Sequence, residues 1–196
     1  MKISAIYTTV HLVKKPAWLD KFRNQYDLEY NKDTCRLEDE PYDMHITLTQ
    51  PRFVGDEYAI QLKKVLGNYF KNNKIGKIKL EFAGMYLDRQ DEIDNGCIMV
   101  NASKIDELLK LQLKMRDFVK NNNDFCDIKH KAYEDNFIPH LTIGRDLSKL
   151  RFDKALQDLP QGIRIEAEVS EIILAIVRDE SSAERKNPKN LTVFKL

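Results

Sequence analysis

Apolar positions along this 196-residue chain change period several times. Between Asp56 and Asn72 they fall at Ala59, Ile60, Leu62, Val65, Leu66, Tyr69 and Phe70. That three-and-four spacing predicts an amphipathic helix over 56–72. A second helical stretch opens at Ser103, with Ile105, Leu108, Leu109, Leu111, Leu113, Met115 and Phe118 on its apolar side, and fades at Asn121–Asn123. Ser103 and Asp106 suit a helix start. Trp18–Asn31 and Arg151–Leu159 also read as helical. Ile3–Val10, Met44–Thr49, Lys77–Tyr86, Gly96–Ala102, Phe137–Gly144, Ile163–Val177 and Leu191–Leu196 are β-branched or alternating, and read as strands. Pro51 is expected to end one of them, and Pro139 to mark the entry of another.

No linker, low-complexity run or close repeat interrupts the chain. A coarse repeat does exist, because each half carries one strand of the form His-apolar-Thr-apolar and one long amphipathic helix. The first motif is YDMHITLTQP around His45, and the second is FIPHLTIGRDL around His140, nearly half the chain away. An α+β architecture is expected, a single domain over 1–196 made of two similar lobes facing a shared cleft.

Side chains alternate across a strand. His45, Thr47 and Thr49 therefore share a face, with Ile46 and Leu48 on the other. His140 and Thr142 likewise oppose Leu141 and Ile143. In each half an imidazole and a hydroxyl can point together into the cleft while the apolar residues enter the core. Two imidazoles flanking one phosphate suffice for phosphodiester cleavage. A neutral histidine takes a proton from the attacking oxygen, and a protonated one gives a proton to the leaving oxygen. Threonine hydroxyls can donate to the non-bridging oxygens. Arg145 could hold the phosphate bidentately, although strict alternation sets it on the face away from His140.

The remaining composition narrows the field. Lysine plus arginine total 32 against 31 for aspartate plus glutamate, which argues against coating of long nucleic acid by bulk charge. Cys35, Cys97 and Cys126 are odd in number and have no ligand spacing, so reduced thiols are expected rather than a zinc site. A zinc hydrolase built on His45 and His140 lacks an obvious third ligand. His11, His130 and the basic runs Lys71–Lys79 and Arg185–Asn190 read as structural or solvated. The N-terminus is too interrupted for a signal peptide, and no run approaches the ~20 apolar residues of a membrane helix. A cytoplasmic protein is expected.

HITL at His45–Leu48 and HLTIGR at His140–Arg145 resemble the paired signature of the 2H phosphoesterase superfamily. Within it they are similar to the 2′-5′ RNA ligase-like and RNA 2′,3′-cyclic phosphodiesterase branch. ISAIYTTV resembles that family's first strand, and EIILAIVRDE with LTVFKL resembles its closing strand pair. The resemblance implies a bilobal α+β fold with two antiparallel-rich sheets, pseudo-two-fold symmetry around a central cleft, and helices outside. It implies His45 and His140 as the acid–base pair, Thr47 and Thr142 on the phosphate, Arg145 beside them, and no cofactor or metal. The implied partner is an RNA end or nucleotide bearing a cyclic phosphate, met by a monomer away from membranes. Cyclic or 2′-5′-linked oligonucleotides stay open as substrates, and so does a non-catalytic RNA-end-binding protein on the same fold. The acidic stretch Arg36–Asp43 before the first motif is expected to disfavour long polyanions.

Overall fold

The computed structural model describes residues 1–28, 30–31, 36–37, 43–90, 95–103, 105–179 and 181–196. Cys35 and most of the acidic stretch before His45 lie outside them. In chain order the elements are β1 (Lys2–Thr9), β2 (His11–Leu12), α1 (Leu19–Tyr26), β3 (Tyr30–Asn31), β4 (Arg36–Leu37), β5 (His45–Val54), α2 (Asp56–Asn72), β6 (Ile78–Gln90), β7 (Asn95–Ser103), α3 (Asp106–Val119), α4 (Ile128–Asp135), β8 (His140–Leu147), α5 (Lys149–Asp158), β9 (Ile165–Val169), β10 (Glu171–Val177), α6 (Ser182–Lys186) and β11 (Leu191–Lys195).

Two antiparallel sheets carry the molecule, one in the order β11-β10-β1-β5 and the other in the order β2-β9-β6-β7-β8. Each motif strand is therefore the edge of its own sheet, and β5 and β8 contact one another where the sheets meet. The chain crosses between the two sheets four times, and two of these crossings are each made by a single residue. It leaves β1 through Val10 to enter β2, and leaves β9 through Ser170 to enter β10. The predicted single β stretch over Ile163–Val177 is thus two strands in different sheets. Ile46, Leu48, Leu141 and Ile143 join one core with Leu62, Leu66 and Phe70 of α2 and Leu108, Leu111 and Met115 of α3. The motif strands thus bury their aliphatic faces against the helix-packed core and turn the other face out of it.

Other sequence expectations change at element ends. The predicted helix over Trp18–Asn31 stops at Tyr26, and Tyr30–Asn31 pairs with Arg36–Leu37 instead. Pro51 does not end its strand. β5 runs on to Val54 because the β1–β5 register slips between Ser4 and Ile6, and an edge bulge tolerates a residue with no N–H. Ser103 belongs to β7, where its hydroxyl donates to the Glu81 carbonyl at 3.1 Å, and α3 begins only at Asp106. α4 was not expected. It is short and weakly patterned, and Asp127 caps it by accepting from the Lys129 N–H at 2.8 Å. The strand expected over Phe137–Gly144 begins at His140 and extends to Leu147.

Candidate active site

Edge position gives His45 and His140 the same local geometry. His45 Nδ1 lies 2.8 Å from the Asp43 carbonyl oxygen, and His140 Nδ1 lies 2.7 Å from the Ile138 carbonyl oxygen. A carbonyl only accepts, so each Nδ1 carries the hydrogen and each Nε2 is the basic nitrogen. Thr47 and Thr142 follow two residues later, half-buried on the same face as their histidines. Thr49 does not join them. The β5 bulge turns its hydroxyl into the sheet, where it accepts from the Ile6 N–H at 3.1 Å.

The surroundings of His45 favour a neutral ring. Burial pushes its pKa down to about 4, and the nearby Arg145 and Arg185 cations act in the same direction, against the Asp43 carbonyl bond and the Asp27 carboxylate. Tyr7, the cross-strand partner of Thr47 on β1, meets the His45 ring edge-on with centroids 5.3 Å apart. His140 pairs across its sheet with Asn101 of β7, whose Oδ1 is buried without a hydrogen-bond partner among the described residues.

Arg145 reaches this region although simple alternation denies it. The β7–β8 register slips between Ile98 and Met99, and again between Gly96 and Ile98. Each slip places an extra residue in β8 and reverses the inside–outside order beyond it. Asp146, next to Arg145, takes a positive φ of 50°, the left-handed conformation that few side chains adopt. Arg145 Nε then donates to Asp27 Oδ1 at 2.7 Å.

Four residues of this neighbourhood were not singled out from the sequence: Asp27, Tyr7, Asn101 and Arg185. Arg185 read as part of a solvated basic run. Instead α6 packs on β10, and the preceding Glu184 holds the segment by accepting from Arg178 Nη2 at 2.7 Å and Asn190 Nδ2 at 3.1 Å. Of the remaining histidines, His11 lies 3.9 Å from Glu171 and His130 sits in α4. Among the described residues no group of three or more His, Cys, Asp or Glu is placed to hold a metal ion, and no helix is long and apolar enough to cross a membrane.

Two sheet edges bearing matched imidazole–hydroxyl pairs define the class of the 2H phosphoesterases. The sequence matches the model of the 2′-5′ RNA ligase superfamily over residues 16–180, and the chain belongs to that family. No curated protein sequence matches it. Among solved structures, Usb1 of Kluyveromyces marxianus is similar, with a TM-score of 0.54 at 9% identity over 99% of this chain and 98% of that one. The same protein with uridine monophosphate gives a TM-score of 0.52 at 8% identity, covering 98% and 99%. LigT of E. coli with 3′-AMP gives 0.47 at 12% identity, covering 100% and 95%.

Proposed function

We propose that the protein is a phosphodiesterase that hydrolyses a 2′,3′-cyclic phosphate at an RNA end or on a nucleotide. The observation that carries this reading is the pair of His-x-Thr strands on adjoining sheet edges, with both Nδ1 atoms tied to the main chain and both Nε2 atoms left basic. Family membership supports phosphoester chemistry, and the uridine monophosphate in a structural neighbour supports a nucleotide-sized substrate.

His45, kept neutral by its surroundings, accepts a proton from the attacking water through Nε2. The water oxygen bonds to phosphorus as one ribose–oxygen bond to phosphorus breaks. Protonated His140 gives its Nε2 proton to that leaving oxygen, so a phosphomonoester and a free hydroxyl result. Thr47, Thr142 and Arg145 donate to the non-bridging oxygens, where charge grows. Two proton carriers and these donors complete the cycle with no need of a metal. Run in the same direction with a 5′-hydroxyl in place of water, the same pair would open the cyclic phosphate to a 2′-5′ bond, the ribose 3′-oxygen leaving with the His140 proton.

The test is incubation of purified protein, in chelator, with a short RNA bearing a 2′,3′-cyclic phosphate, beside the His45→Ala variant. Conversion to a phosphomonoester by wild type alone is expected, and phosphatase sensitivity and mass identify the product. No conversion by wild type would sink the cyclic-phosphate reading and direct attention to 2′-5′ bonds and cyclic oligonucleotides.

A further inference from the structure

We infer that Asp27 is a positioning residue that fixes the guanidinium plane of Arg145 for phosphate, an inference that rests on the phosphodiester reading above. Asp27 is the residue after the last turn of α1, and its N–H bonds the Arg23 carbonyl at 2.8 Å. A carboxylate there meets the negative end of the helix dipole, where an acid is locally unfavourable. Its side chain is fully buried, 0% exposed, which raises the cost further. Neither the helix dipole nor burial gives a reason for an acid at this place.

The reason lies in its partners. Arg23 Nε and Nη2 both reach Asp27 Oδ2 at 2.8 Å, and Arg145 Nε reaches Oδ1 at 2.7 Å. Arg23 thus compensates the buried charge, and the second oxygen is committed to Arg145. A bond through Nε, the donor nearest the chain, sets the plane of the whole guanidinium. Arg145 itself keeps 16% exposure.

The backbone is shaped to the same end. Two register slips and the left-handed Asp146 bracket Arg145, irregularities of the kind that re-aim side chains near sites. Gly144, just before it, sits against the end of α1, where a Cβ would make ordinary contact with the Tyr26 carbonyl at 3.5 Å and a tighter one with Leu147 Cδ1 of its own strand at 3.2 Å. Strand and helix meet where Asp27 takes Nε. Bidentate phosphate binding needs a fixed plane as well as a charge.

The test uses the full chain with inorganic phosphate as the probe, followed by titration calorimetry. Arg145→Gln and Asp27→Asn are each expected to weaken phosphate binding roughly tenfold. The double variant should bind no more weakly than Arg145→Gln alone, because Asp27 acts only through that arginine. Additive losses, or unchanged affinity in Asp27→Asn, overturn the inference while leaving the phosphodiester reading intact. Absence of phosphate binding by wild type overturns both. Should Asp27→Asn not fold, Arg145→Lys carries the test. It keeps the charge but loses the fixed plane, so it should bind as poorly as Arg145→Gln, and wild-type affinity in that variant would overturn the role.

Discussion

Both motif strands carry an arginine a few residues past the histidine, and in both a buried carboxylate clamps it. On β5 it is Arg52 with Glu134, and on β8 it is Arg145 with Asp27. The two clamps differ in what the arginine does with its remaining donors. Arg52 is 2% exposed and spends Nε on the Asn122 carbonyl at 2.9 Å, Nη1 on the Gln50 carbonyl at 2.8 Å and Nη2 on Glu134, with its charge over the Phe125 ring at 4.3 Å. Glu134 also accepts from the Gln50 N–H at 3.0 Å. This arginine ties the far end of the first motif strand to α4, the helix that leads into the second. Arg145 is partly exposed, and its charge reaches His45. The same residue in a similar place is a bolt where burial is complete and a candidate ligand for substrate where it is not.

That contrast can be broken in order of effect. His45→Ala and His140→Ala should each lower kcat/KM by ~10²–10⁴-fold with circular dichroism unchanged, since each removes a proton carrier. Near-full activity in either variant would end the two-histidine account. Glu134→Gln should cost about 3–5 kcal/mol in denaturant unfolding, because it leaves Arg52 charged and buried without its partner. Arg145→Gln should cost far less stability, and equal losses would erase the distinction between the two clamps. Thr47→Val and Thr142→Val should each lower kcat/KM roughly 10- to 100-fold, the worth of one hydrogen bond to a charged group. Equal losses at both would indicate that the two half-sites share the phosphate.

The smallest effect is in pH. His45, with its pKa pushed from an ordinary 6.5 to about 4, puts the acidic limb of kcat/KM near pH 4. Arg145→Gln removes a cation that depresses that pKa, so the limb should move to higher pH. Stability follows the same group. The folded state disfavours the protonated ring, so the contribution is full above about pH 6.5 and declines as pH falls toward 4. His45→Ala should flatten that part of the profile, as thermal melts across the range will read.

Much of this was legible in the sequence, and the failures share a cause. Periodicity gave α2 from Asp56 to Asn72, and alternation set Ile46, Leu48, Leu141 and Ile143 in the core. Alternation misplaced Thr49 and Arg145 because both follow bulges, and a bulge is a property of two paired strands rather than of one. Asp27 stayed hidden because the helical pattern was carried on to Asn31. An acid inside a helix attracts no notice, whereas one at its carboxyl end does. The switch of sheets at Ser170 leaves no mark on an apolar run that suits either sheet. Arg185 sits in a basic segment whose fold depends on Glu184 and Asn190 meeting across a loop.

The two imidazoles are held by carbonyl oxygens of Asp43 and Ile138, and a carbonyl is common to every residue type. No substitution at 43 or 138 can delete the acceptor, as replacing a carboxylate partner would. The tautomer on which proton transfer depends is thereby insulated from mutation at its own anchor. Its vulnerability is moved to whatever displaces a whole strand edge, and the pair can be retuned through neighbouring charges without being dismantled.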